Sequence, residues 1–169
     1  HRLGDPLEAD RELCSFPEDP QIMAAGELSS DRRWLVVTIE RGTENVNRLW
    51  LYPLTTQDGA TSIGEPLKLV DEPLAEMRHV RVDGDTLIVH TDLDAPRGCL
   101  AAIDLAAFAA TGDLTLTEVV EEGEATLAGA VAAGEHVVVA SLVDAAPQLR
   151  RYSVTGDDLG VLDVSGGAL

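Results

Sequence analysis

Aromatic side chains are scarce in this chain of 169 residues, at 4%: two Trp, two Tyr and two Phe. A core must therefore be assembled from Val, Leu, Ile and Ala, which suits thin, closely packed sheets. The apolar content of 45% is high enough for folding. Cysteine is limited to Cys14 and Cys99. Two residues that far apart, each in an apolar run, read as buried free thiols rather than a disulfide framework. Basic residues number 12 against 30 acidic ones, for a net charge of −18. Repulsion by phosphate makes nucleic acid or an anionic membrane an unexpected partner. Apolar runs of the ~18 residues that a spanning helix needs are absent. No signal-peptide pattern is present, and the first residue is His1, in the middle of a pattern.

The motifs of common catalytic machinery are missing as well. There is no Gly-x-Ser-x-Gly nucleophile turn, no phosphate loop, no Gly-x-Gly-x-x-Gly dinucleotide fingerprint and no His-Glu-x-x-His pair. His79, His90 and His136 lack the close spacing of metal ligands, so neither a metal nor another cofactor is expected. His90, inside an apolar run, reads as a core histidine; His79 and His136 flank turns and read as surface or edge residues. The acidic run Glu118-Val119-Val120-Glu121-Glu122-Gly123-Glu124 reads as a solvated turn after an edge strand. Asp92, Asp94 and Arg97 are close enough in sequence to brace their own loop by an ion pair.

What the chain does have is a repeat. The segments beginning at Asn47, Arg97 and Pro147 follow one another at a spacing of fifty residues. Upstream of each lies a β-branched apolar run: Trp34–Ile39, Thr86–His90 and Val137–Ala140. Repeats of this length made of strands and turns are the mark of a β-propeller blade. The predicted fold is all-β: about three four-stranded antiparallel blades preceded by a leading strand at Leu13–Phe16. Residues 1–20 are assigned to the end of a preceding blade, and 21–72, 73–122 and 123–169 to three successive blades. Since propellers close with roughly four to eight blades, the expectation is a segment of a larger protein.

Within each repeat the order is strand, tight turn, strand, polar loop, strand, long turn, strand. Asp83-Gly84-Asp85 is a strong hairpin signal, because Gly accepts a positive φ. Thr55–Pro66 reads as a long turn, Leu114–Val120 as a fourth strand, and Ala101–Ala110 as able to form one helical turn. In an up-and-down sheet alternate connections leave from the same end. The loops Arg41–Asn47, Asp92–Arg97 and Val143–Pro147 should then share one face, and the turns Ser29–Arg33, Asp83–Asp85 and Ala133–Glu135 the other.

Several of these stretches are similar to one family. They are His1-Arg2-Leu3-Gly4, Glu12-Leu13-Cys14, Phe16-Pro17-Glu18-Asp19-Pro20, Ala25 with Glu27-Leu28-Ser29-Ser30-Asp31, and above all Arg41-Gly42-Thr43-Glu44-Asn45-Val46-Asn47-Arg48-Leu49-Trp50. Thr91-Asp92-Leu93-Asp94-Ala95-Pro96-Arg97-Gly98 with Ala102-Ile103-Asp104-Leu105 repeats the likeness one blade later, and Leu142-Val143-Asp144-Ala145 fits a third. Together they resemble the prolyl oligopeptidase (prolyl endopeptidase) family over essentially the whole chain.

The resemblance implies a seven-bladed propeller that caps an α/β-hydrolase domain carrying a Ser-Asp-His triad, in a cytoplasmic serine-type endopeptidase that cleaves short peptides after proline. This chain would hold no catalytic residue. Its partners would be the hydrolase domain of the same polypeptide and short peptide substrates. In some family members an Arg, and a Cys three residues on, approach the substrate from one blade loop. The matching positions here are Glu40 and Thr43, with Arg41 beside them as a substitute cation or as a loop brace bonded to Glu40 or Glu44. The face toward the hydrolase domain would carry Gly42, Asn47, Asp94, Arg97 and Asp144. A free-standing interaction module of β-repeats remains the alternative reading. With no closed ring, uncovered blade faces and strand edges lead one to expect a homo-oligomer.

Overall fold

The computed structural model describes residues 4–143 and 146–163. It consists of three antiparallel meanders. The first contains β1 (Ile22–Leu28), β2 (Trp34–Arg41), β3 (Asn47–Gln57), β4 (Ala60–Ile63) and β5 (Leu67–Val70). The second contains β6 (Met77–Asp83), β7 (Thr86–Thr91), β8 (Cys99–Asp104) and β9 (Thr117–Val120), with the helix α1 (Leu105–Thr111) between its last two strands. The third contains β10 (Thr126–Ala133), β11 (His136–Val143), β12 (Ala146–Ser153) and β13 (Asp158–Val161). The all-β propeller-segment architecture expected from the repeat is the architecture observed.

β2 is apolar at nearly every position because both of its faces are covered. Trp34 and Val36 point toward the second sheet and join Leu49, Leu51, Met77, Leu87 and Val89 in one buried cluster. Val37 and Ile39 point the other way and meet Trp50 and Tyr52. A smaller cluster between the second and third sheets holds Ile88, Leu100, Leu127, Val137 and Val139. Alternation along each strand thus serves two interfaces at once, which is how sheets stack side by side into a propeller.

Four expectations need correction. Leu13–Phe16 forms no strand, and among its described residues the first segment holds only a 3-10 turn at Leu7–Ala9. With no neighbouring strand to pair with, Leu13, Cys14 and Phe16 instead cover the outer face of the first sheet. The Tyr52 hydroxyl donates to the Leu13 carbonyl at 2.8 Å, and the Phe16 ring lies 5.9 Å from that of Trp50. Thr55–Pro66 is not a long turn: β3 runs on to Gln57, reverses at Asp58-Gly59, and β4 pairs back along it. β4 and β5 follow each other along the same flank of β3, interrupted around Pro66, which has no N–H to give the ladder. The last strand of the second sheet is shorter than read, because Leu114 and Leu116 pack on the core from outside it. The helix is longer than one turn: Asp104 accepts the Ala107 N–H at its start, and Gly112 closes it in the left-handed conformation.

Candidate functional site

The connections sort into two ends, and bonds between neighbouring sheets show it. On the turn side, Gly84 takes φ +59° in the β6–β7 hairpin, and its carbonyl accepts the Trp34 indole N–H at 3.1 Å. Arg33 pairs with Asp85 at 3.1 Å beside it. One repeat later Arg81 donates to the Gly134 carbonyl in the β10–β11 hairpin. The Ser29–Arg33 turn has Arg32 in the left-handed region and is braced by Asp31, which accepts from Ser29 Oγ and from the Arg33 N–H. Burial pushes the Asp31 pKa up, but those hydrogen bonds outweigh it and hold the carboxyl below its usual range.

On the loop side, Asn47 is the anchor. Its N–H donates to the Ala75 carbonyl, its Nδ2 to the Met77 carbonyl at 3.0 Å, and its Oδ1 accepts the Met77 N–H at 2.8 Å. The Leu127 N–H makes the corresponding bond to the Arg97 carbonyl at 2.7 Å. The β2–β3 and β7–β8 loops therefore both end against the first strand of the following sheet.

The residues singled out from sequence occupy this loop end in different ways. Gly42, Thr43 and Asp94 are exposed, whereas Asn47 is 3% exposed and spends its side chain on Met77. Arg41 is exposed but not free: its Nε donates to Asp19 at 2.7 Å and its Nη1 to Glu44 at 2.6 Å, and these bonds push its pKa up. Bracing of its own loop is thus the observed arrangement, through Glu44 and Asp19 rather than Glu40. Glu40 lies 3.7 Å from Arg78 of the second sheet. The proposed pairing among Asp92, Asp94 and Arg97 is not what forms. Arg97 turns to Glu122, 3.3 Å away, which also accepts the Arg97 N–H. Asp92 accepts the Glu76 N–H instead. The Arg97 partner lies across the sheet, so local spacing carried no signal for it. Asp144 falls outside the described residues.

Near the loop end, Leu93, Asp94, Ala95, Cys99, Glu118, Glu121 and Glu122 line an open hollow of about 410 Å³. Cys99 is half-buried in its wall; burial, then Glu118 and Glu122, push the thiol pKa up. Cys14 is likewise free, half-buried and outside any strand, its pKa raised by burial and then Glu12. Both thiols are less deeply buried than the sequence suggested. His79 is also more enclosed than an edge residue: its side chain is 13% exposed, and Nδ1 sits 3.2 Å from Glu27 of the first sheet. Among the described residues no group of three His, Cys, Asp or Glu side chains could hold a metal ion. No helix there is long and apolar enough to cross a membrane.

The family profile described as the prolyl oligopeptidase N-terminal β-propeller domain matches residues 1–166. The chain belongs to this family. The propeller segment is 28% identical over 105 residues to the dual function macrocyclase-peptidase POPB of Galerina marginata, which covers 62% of this chain and 14% of that protein. A structure from a structural and mechanistic analysis of two prolyl endopeptidases superposes with TM-score 0.84 at 28% identity, covering 98% of this propeller segment and 23% of the solved chain. Prolyl oligopeptidase B from Galerina marginata, bound to a 35mer hydrolysis and macrocyclization substrate, superposes with TM-score 0.81 at 25% identity, covering 98% of this segment and 22% of that chain. The propeller segment therefore spans less than a quarter of the length of these relatives.

Proposed function

We propose that this chain is the non-catalytic propeller portion of a serine-type peptidase, and that it limits which proline-containing peptides reach a hydrolase domain on the same polypeptide. The observation that carries this reading is the sharing of one end by the β2–β3 and β7–β8 loops, in a chain that matches the propeller family from residue 1 to 166. Sheets locked face to face by β-branched cores deform little. A passage bounded by their first strands admits an extended peptide and excludes a folded domain. On this reading the loop end faces the hydrolase domain. There Glu40 and Arg41 are held by their ion pairs, the Gly42 N–H is bonded to the Gln21 carbonyl, and the exposed Thr43 side chain is the group placed to approach a peptide. The exposed apolar residues Val131, Leu142, Leu159 and Val161 of the third sheet are the surface that a following blade, or a second copy of this chain, would cover.

The test uses the longer polypeptide and a ladder of substrates: a chromogenic proline peptide, longer unstructured peptides, and a folded protein with an exposed proline loop. Cleavage of the short peptide with sparing of the folded protein is expected, and the 169-residue chain alone should cleave none of them. Equal cleavage of the folded protein and the short peptide would overturn the screening role.

A further inference from the structure

The two interfaces between sheets are built differently. Both are tied at their two ends, the first by Trp34–Gly84 and Asn47–Met77 and the second by Arg81–Gly134 and Leu127–Arg97, but the first holds the large cluster around Trp34, Leu49 and Met77. The second has a smaller cluster and contains an ionisable side chain, His90 of β7, which is 5% exposed. His90 lies on the same face of β7 as Ile88, two residues earlier, which packs in the second cluster. Its ring lies beside the Leu127 carbonyl of β10, and its Nδ1 is buried with no partner. The backbone of Gly98 closes over it: a Cβ there would fall 2.7 Å from His90 Nε2 and 3.2 Å from Leu127. Beside this point Gly98, Leu127, Val139, Gln148, Arg150 and Tyr152 line part of a hollow of about 430 Å³ between the two sheets.

We propose that His90 is a proton-operated latch between the second and third sheets: neutral, it keeps them joined, and protonated, it opens this interface while the first one stays closed.

The chemistry follows from the position. A second ring proton would sit on Nδ1, where nothing accepts it, and the charge would be buried. The charged groups acting on the ring come from its own sheet: Glu76 and Asp92 favour the charged form and Arg78 opposes it. Glu76 is already bonded to Arg78, and Asp92 to the Glu76 N–H. Farther along, Arg97 and Glu122 pair with each other. From the third sheet the ring faces the Leu127 carbonyl, which also favours the charged form but, like Glu76 and Asp92, does not offset burial. Burial is the largest influence and holds the pKa below its ordinary 6.5. The sign is then fixed. Once the interface separates, His90 titrates normally, so below pH 6.5 protons favour the open form. The open fraction rises by up to ~tenfold per pH unit until the lowered pKa of the closed form is reached.

The experiment is amide hydrogen exchange on the intact polypeptide between pH 7.5 and pH 5, with each amide corrected for its intrinsic pH dependence. The Leu127 N–H, which donates to Arg97 across the second interface, reports opening; the Met77 N–H, bonded to Asn47 across the first, is the internal control. Protection of Leu127 should fall by up to ~tenfold per pH unit below 6.5 while that of Met77 holds. The loss should vanish in His90→Gln, which keeps an N–H donor and does not titrate. Equal loss at both amides, no loss at either, or loss that persists in His90→Gln would overturn the latch. Should that variant fail to fold, the imidazole titration of selectively labelled histidine in the unsubstituted chain decides: its midpoint must coincide with that of Leu127 exposure, and a mismatch overturns the proposal.

Discussion

Asn47 and Met77 are joined as two residues of a β-ladder would be, except that one partner is a side chain. The Asn47 carboxamide donates to the Met77 carbonyl and accepts from the Met77 N–H, at 3.0 and 2.8 Å. β6 is the edge of its sheet, so these backbone groups have no strand beside them. The carboxamide supplies the missing partner from the preceding sheet, and at Leu127 the Arg97 carbonyl does half the same task.

Replacing Asn47 by Ala leaves one buried donor and one buried acceptor unpaired. At about 1–3 kcal/mol for each, the loss should be roughly 2–6 kcal/mol in urea unfolding. Asn47→Asp should also destabilise, since a carboxylate accepts but cannot donate.

Trp34 makes two separable contributions. Trp34→Phe removes the indole N–H bonded to Gly84 and keeps most of the packing, so a loss of about 1 kcal/mol is expected. Trp34→Ala also empties the cluster with Val36 and Leu51, and should cost about 3–5 kcal/mol. Calorimetric melting of both variants measures the difference.

Gly98 is confined in conformation and in space. Its φ is +83°, and a Cβ would strike both His90 and Leu127. Gly98→Ala should lose more than the ~1–3 kcal/mol typical of a strained backbone. Gly42→Ala is the comparison: it shares a positive φ, but nothing lies within 4 Å, so it should lose clearly less. Denaturant midpoints of the two variants decide.

The Asp19–Arg41 bond depends on pH in a definite direction. Hydrogen bonding from Arg41, then from the Gln21 N–H, lowers the Asp19 pKa from 3.8. Its contribution is therefore complete above pH 3.8 and is lost as pH falls through the lowered value. Carboxyl-carbon NMR should show Asp19 titrating below the exposed aspartates. In Arg41→Gln that displacement should largely disappear; its persistence would mean that the Gln21 bond sets it.

The fifty-residue spacing, the β-branched runs and the Asp83-Gly84-Asp85 turn were legible because each rests on local chemistry: alternation, branching at Cβ and permitted φ. The same local signal was present at Gln57-Asp58-Gly59-Ala60, where Asp-Gly between Thr-rich arms marks the β3–β4 hairpin; reading the stretch as a long turn missed it. The leading segment failed for another reason. Leu13–Phe16 has strand-like composition, but a strand exists only with a partner to take its hydrogen bonds.

Local residue chemistry by itself determined the all-β class, the repeat and the two ends at which its connections emerge, since alternation and turn chemistry act over a few bonds. Tertiary structure alone decided who meets whom: Asn47 with Met77 and His90 with Leu127 between sheets, Arg97 with Glu122 within the second sheet, and Arg41 with Asp19 at the edge of the first. These partners lie 22 to 37 residues apart in sequence and become neighbours only when strands pair and sheets stack. Burial, which turns a ring nitrogen into a latch and a carboxamide into a ladder partner, belongs to the stacked sheets and to no single segment.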